Sequence, residues 1–128
     1  MSYVIPFLPP SVNSCYRSFR GRVVKSKSYN DYIHRFDEYI KTKNIEIITG
    51  SVKIDVVFYK KGARSYDLDN RLKSLIDSIK DVLIEDDNMI VEINCKKFNN
   101  CIEDKTLLII ARVDNTMDIE PIEIIDHV

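Results

Sequence analysis

Apolar residues along this chain fall at two kinds of spacing. Tyr29, Ile33, Phe36 and Ile40, with Tyr32 and Tyr39 beside them, recur as one face of a helix, and Ser28 stands where a cap would. Leu68, Leu72, Leu75, Ile76, Ile79 and Leu83 advance by four, three, one, three and four. That series predicts an amphipathic helix from about Asn70 to Val82, with Asp69 as its N-cap. Val52, Ile54, Val56 and Phe58 alternate instead, the mark of a half-buried strand. "YVIPFL" (3–8) predicts a short strand that Pro6 confines to an edge or bulge. "RVVKS" is a further short strand, and "MIVEINCKKF" and "KTLLIIARV" are two more, joined by "NNCIED". "PPSVNSCYRSFRGR" and "KKGARSY" read as loops, the second strongly basic. The order β-α-β-α-β-β is a mixed α/β (α+β) arrangement, a small mixed sheet with two helices. It is not doubly wound, because strands and helices do not alternate regularly.

Composition narrows the class. The 128 residues are 45% apolar and 30% charged, with three glycines and four prolines, as in one ordinary globular domain. We expect a single domain over 1–113 and a loosely held acidic tail over 114–128. No segment approaches the roughly 20 apolar residues of a membrane helix. "MSYVIPFLPP" does not read as a signal peptide, so the expectation is a cytoplasmic protein without membrane contact. Cys15, Cys95 and Cys101 are odd in number and unpaired in spacing, which predicts reduced thiols and argues against zinc. Net charge is −1, but residues 1–66 carry 12 Lys and Arg against 5 Asp and Glu, a balance of +7. Residues 67–128 carry 7 against 15, a balance of −8. Such polarity either provides a basic face for phosphates or lets opposite halves neutralise each other.

The candidate chemistry lies in "YDLDNRLKSLIDSIKDVLIEDD", residues 66–87. Each acid has an ordinary use: Asp69 as a cap, Asp67 near a helix dipole, "EDDN" as a polar turn. Together they suit a hard divalent cation, which takes carboxylate oxygens and keeps several waters. Asp67 and Asp69, two apart, point the same way in an extended segment. Lys73, one helical turn past Asp69, can hold a phosphate or stabilise a leaving oxygen, or simply pair with Asp69. Carboxylates, Mg²⁺ and a lysine are equipment for phosphoryl transfer to water. His34 and His127 read as incidental.

"DLDN", Lys73 and "VLIEDD" together resemble the signature of the RusA family of Holliday-junction resolvases. "PPSVNSCYR" resembles that family's Pro-Pro-Ser-x-Asn segment, and "GRVVKS" with Tyr29 its next block, so the likeness runs over roughly 3–113. It implies a homodimeric endonuclease that nicks four-way DNA junctions symmetrically with Mg²⁺ or Mn²⁺. It implies Asp67, Asp69 and Asp87 as metal-binding carboxylates, Asp86 as a secondary candidate, Lys73 as the catalytic lysine and Asn13 as part of the DNA-contacting segment. The chain departs from the pattern at Asp81, where glycine is common, and at Met89, where glutamine is common.

Phosphate contacts are expected from Arg17, Arg20, Arg22, Lys25 and Lys27, and from Lys60, Lys61 and Arg64 just before the acids. Tyr16 and Phe19 interleave the first cluster, where they either stack on unpaired bases or anchor the loop to the core. A helix over 70–82 would be about 20 Å long and would separate Asp69 from Asp87. Either "VLIED" folds back along it, or two helices lie antiparallel across a dimer axis; the second is the expectation. A flap or branched-DNA nuclease and a non-catalytic DNA-binding recombination accessory are the rival readings.

Overall fold

The computed structural model describes residues 1–43 and 45–113. The expected acidic tail, 114–128, lies outside the described residues. The elements are β1 (Ser2–Ile5), a 3-10 turn (Val12–Ser14), β2 (Tyr16–Phe19), β3 (Arg22–Lys25), α1 (Lys27–Lys41), β4 (Val52–Lys61), α2 (Leu68–Ile79), a second 3-10 turn (Asp87–Met89), β5 (Ile90–Cys101) and β6 (Lys105–Arg112). This is the mixed α+β arrangement expected, with the main sheet ordered β1-β6-β4-β5. β5 runs parallel to β4 and the other pairs are antiparallel. Parallel neighbours need a crossover, and α2 supplies it.

One sheet face is covered by both helices. Val52, Ile54, Val56 and Phe58 of β4, Leu108 and Ile110 of β6, and Tyr3 and Ile5 of β1 point to it. Tyr29, Tyr32 and Phe36 of α1 and Leu75 and Ile79 of α2 close the core from above. Phe36 and Phe58 are fully buried, and each contributes about 2–3 kcal/mol of apolar transfer. The helices also meet through Tyr32 and Ser78, whose hydroxyls lie 2.8 Å apart. Burial pushes the Tyr32 phenol well up. The opposite sheet face is mixed: Lys53 pairs with Glu92 at 3.3 Å and Asn94 donates to Asp55 at 3.0 Å, while Val4, Phe98 and Ile109 lie exposed on it.

Several boundaries differ from the sequence reading. β1 stops at Ile5, because Pro6 offers no N–H to extend the ladder. Lys60 and Lys61 end β4, and the Lys61 N–H donates to Asp104 at 2.7 Å, so they are not loop residues. β5 continues through Asn99 and Asn100 to Cys101, because β4 still offers it a partner there. Tyr16–Phe19, read as loop, is a strand paired with β3 through a two-residue turn. Arg20 (φ 51) and Gly21 (φ 76) both take left-handed backbone there, the geometry of a tight hairpin.

The cap of α1 is Ser26 rather than Ser28. Its hydroxyl accepts from the Tyr29 N–H at 3.2 Å, while Ser28 lies inside the helix. Ser26→Ala is therefore expected to lower unfolding free energy by about 1 kcal/mol. Ser28→Ala should lower it by less than about 0.5 kcal/mol. Urea denaturation of the two variants checks the assignment, and a larger loss at Ser28 would reverse it.

Candidate active site

The acid-bracketed helix is shorter than its hydrophobic repeat. α2 spans Leu68–Ile79, so Leu83 belongs to the segment after it. Lys80 is already extended, Asp81 takes a left-handed φ of 65°, and the N–H groups of Val82, Leu83 and Ile84 all return to Ile79 O. Asp81 stands where the family pattern has glycine, the residue that adopts this backbone freely. Asp accepts it at modest strain, so the turn survives the departure. Leu83 and Ile84 are buried beneath the turn, and Ile48 pairs with this segment. The Gly50 N–H donates to Glu85 at 2.7 Å, which fixes the strand that follows.

The turn sends the chain back along the helix, and the consequence is a groove of about 300 Å³ lined by Asp69, Leu72, Lys73, Ile76, Asp77, Asp87, Ile90 and Ile93. Asp69, Lys73 and Asp77 fall one helical turn apart, so one stripe of α2 forms a wall about 12 Å long. Asp87 and the start of β5 form the facing wall. Of the two arrangements expected, the antiparallel dimer was preferred, but the chain follows the other, with the segment after α2 folded back along the helix. Both carboxylates line one groove of one chain, because the helix ends three residues early and its continuation doubles back.

The remaining acids divide. Asp67, not Asp69, is the N-cap residue of α2, and it makes no side-chain capping bond. Its carboxylate accepts instead from Asn70 Nδ2 at 3.2 Å, and it does not line the groove. Asp69 sits in the first turn of the helix, where the dipole favours its charge. Asp86 accepts from the Asp87 N–H at 2.8 Å and faces Lys80 Nζ at 3.8 Å. Hydrogen bonding with Asp87, helped by Lys80, holds the Asp86 carboxyl below the usual carboxylate range. Among the described residues, no three His, Cys, Asp or Glu side chains gather closely enough to hold a metal by themselves. The groove still fits a hard cation in its donor chemistry: its ionisable lining is Asp69, Lys73, Asp77 and Asp87, with no thiol or imidazole. Mg²⁺ is commonly held by one or two carboxylates with water and substrate phosphate completing its shell.

Lys73 is exposed and its partner is Asp77, at 3.8 Å, rather than Asp69. Asp77 is the groove residue that sequence reasoning missed; its place eight residues past Asp69 on one helical stripe was the available signal. Lys96, Lys97 and Lys105 were missed too, because only the register of β5 and β6 brings them beside the end of β4. Lys97 Nζ donates to Tyr66 O and lies 4.9 Å from the Tyr66 ring, while Arg71 holds the same ring at 4.9 Å. Arg71 also donates to Pro9 O at 2.8 Å, tying the N-terminal loop to α2, and its half-buried guanidinium is pushed down by desolvation. These contacts fix the residue that leads into Asp67. Lys60, Lys61 and Arg64 lie at the same end of the sheet. Asn13 is exposed in the first 3-10 turn, with its own N–H donating to Ser11. Arg17, Arg20, Arg22, Lys25 and Lys27 stand on or beside the β2–β3 hairpin, away from the Lys60 group in the chain.

Neither Cys15 nor Cys95 is equipped as a nucleophile. Cys15 is buried, and burial pushes the Cys95 thiol up to about 11. The sequence profile of the family described as endodeoxyribonuclease RusA matches residues 6–106 of the chain. No curated protein sequence matches it.

Proposed function

The chain belongs to the RusA family of endodeoxyribonucleases, and from that premise we propose that it resolves four-way DNA junctions by paired symmetric nicks, using a divalent cation. The observation that carries this reading is the single groove shared by Asp69, Lys73 and Asp87, inside the segment that matches the family. Asp69 and Asp87 would hold Mg²⁺ or Mn²⁺, with Asp67 and Asp86 beside them. The ion would supply a nucleophilic water and neutralise phosphate charge. Lys73, one turn from Asp69, would place its ammonium against the scissile phosphate and stabilise charge developing on the leaving oxygen. Its loose contact with Asp77 is weak enough to exchange for a phosphate. The apolar lining from Leu72, Ile76, Ile90 and Ile93 limits water on one side of the groove and so strengthens these charge interactions.

Two symmetric cuts are met by a two-fold homodimer, in which paired grooves face equivalent strands. The Lys60 and Lys61 pair with Arg64 would hold the backbone on its way into the groove. Replacing these three with Ser should weaken junction binding and flatten the slope of log affinity against log[salt] by roughly 2–3, since each contact releases about one counterion. An unchanged slope would place the DNA path elsewhere.

The function is tested by incubating the protein with a labelled synthetic four-way junction, with and without Mg²⁺, beside flap and Y-shaped substrates. Paired nicks at symmetric positions, only with the cation, are expected. Preferential cutting of flaps would favour the branched-DNA nuclease. Junction binding with no nicking under any divalent cation would favour the recombination accessory.

A further inference from the structure

The β2–β3 hairpin is the part of the chain that the core does not explain. Its eight strand residues are exposed except for the half-buried Val24. Over residues 16–27 it carries Arg17, Arg20, Arg22, Lys25 and Lys27 and no acid. Among the described residues, Arg17, Arg20 and Arg22 form no ion pair, and only Lys27 finds a carboxylate, Asp31 at 2.8 Å. An unneutralised basic arm of this kind repels itself and gains from contact with phosphates.

The two aromatics of the arm separate by role. Tyr16, at its base, packs edge-on against Tyr29 of α1 with centroids 5.6 Å apart, so it anchors the hairpin. Phe19, at the tip, is 46% exposed and belongs neither to the buried core nor to the half-buried residues packed against it. Instead the guanidiniums of Arg17 and Arg20 each lie 5.3 Å from its ring centroid. Val23, opposite Ser18 near the same tip, is 74% exposed. A half-exposed apolar ring with two guanidinium groups close by, at the end of a two-residue turn, is a stacking surface offered to solvent.

The arm is rooted beside the groove. Cys15, which precedes it, is buried with Sγ 3.4 Å from Oγ of Ser74, the neighbour of Lys73 on α2. Ser26, which follows it, donates its N–H to Cys15 O and caps α1. Lys25 lies over Tyr29 at 5.7 Å, and both share a cavity with Asp77, which also lines the acid groove. Burial, followed by the fields of Tyr16 and Asp77, pushes the Tyr29 phenol up to about 12. A four-residue strand extends about 13 Å, enough to pass the depth of a DNA groove.

We propose that this hairpin reads the branch: Phe19 stacks on a base left without a neighbour at the point where strands separate, while Arg17, Arg20 and Arg22 hold the flanking phosphates. The inference rests on the branched-DNA reading of the acid groove. It assigns structure selectivity to one side chain. A continuous duplex offers phosphates but no free base face, so the arginines act on any DNA and Phe19 only on a branched one.

Binding is measured by fluorescence anisotropy in EDTA, where no cleavage interferes, on a labelled four-way junction and a linear duplex of the same sequence. Phe19→Ala should weaken junction binding about tenfold and change duplex binding less than twofold, and Phe19→Trp should restore the difference. Joint replacement of Arg17, Arg20 and Arg22 by Ser should weaken both substrates and lower both salt slopes by roughly 2–3. Because Phe19 leaves the core untouched, the thermal midpoint of Phe19→Ala should match wild type. Equal loss on both substrates, or no loss on the junction, overturns the proposal. Wild-type protein with no preference for the junction overturns the branched-DNA reading itself, a separate outcome seen before any variant is made.

Discussion

Replacing Asp69 with Asn is expected to reduce four-way junction cleavage by about a thousandfold or more while junction binding persists. The change preserves shape and removes one negative charge from the groove wall. Holding a cation against phosphate contributes several kcal/mol to a transition state, and each 1.4 kcal/mol is about a factor of ten. The fold should be nearly indifferent. Asp69 is not the N-cap, so its structural contribution is limited to the helix dipole, about 0.5 kcal/mol at an exposed position. Calorimetric titration with Mg²⁺ gives a readout separate from activity: wild type should bind and Asp69→Asn should bind markedly more weakly. Cleavage near the wild-type rate would remove Asp69 from the chemistry.

Lys73→Ala should cost about 10²–10³-fold in single-turnover cleavage, the loss seen when one donor to developing charge is removed. Its contact with Asp77 is long and solvated, and such pairs contribute about 0–1 kcal/mol. The variant should therefore unfold at nearly the same urea concentration. Lys73→Arg keeps the charge but spreads it over a planar fork, so it should recover only part of the rate. Clear destabilisation by Lys73→Ala, with the rate of its folded fraction unchanged, would make the lysine a structural partner of Asp77 and nothing more.

Both helices and most of the sheet were legible in the sequence, because each buries one face and so imposes its period on the chain. Val52–Phe58 alternate and Tyr29–Phe36 recur by turns for that reason alone. β2 was not legible, because its four residues are all exposed and leave no period, whereas its partner β3 showed as a short strand through Val23 and Val24. Only the turn between them, where Gly21 supplies one left-handed residue, marked β2. The end of α2 was misread for a related cause. Leu83 fits the helical series, yet it is buried beneath a turn that follows the helix, and burial constrains residue type without saying which element provides it.

The same division holds for the site. Local chemistry determined that residues 67–87 carry carboxylates and a lysine suited to a hard cation and a phosphate, and spacing put Asp69 and Lys73 on one stripe of α2. Only the tertiary structure decided which acids share a groove. The reversal at Asp81 carries Asp87 back to Asp69, adds Asp77 to the wall, leaves Asp67 bonded to Asn70, and turns Asp86 toward Lys80. The pairing of β4 with β5 and β6 likewise brought Lys97 to Tyr66 and Lys105 to Tyr59 at the end of the sheet. A sequence fixes what each side chain can do through short-range sterics and ionisation. Which of them act together depends on one backbone reversal and on strand register, both set by how the buried residues of distant segments pack.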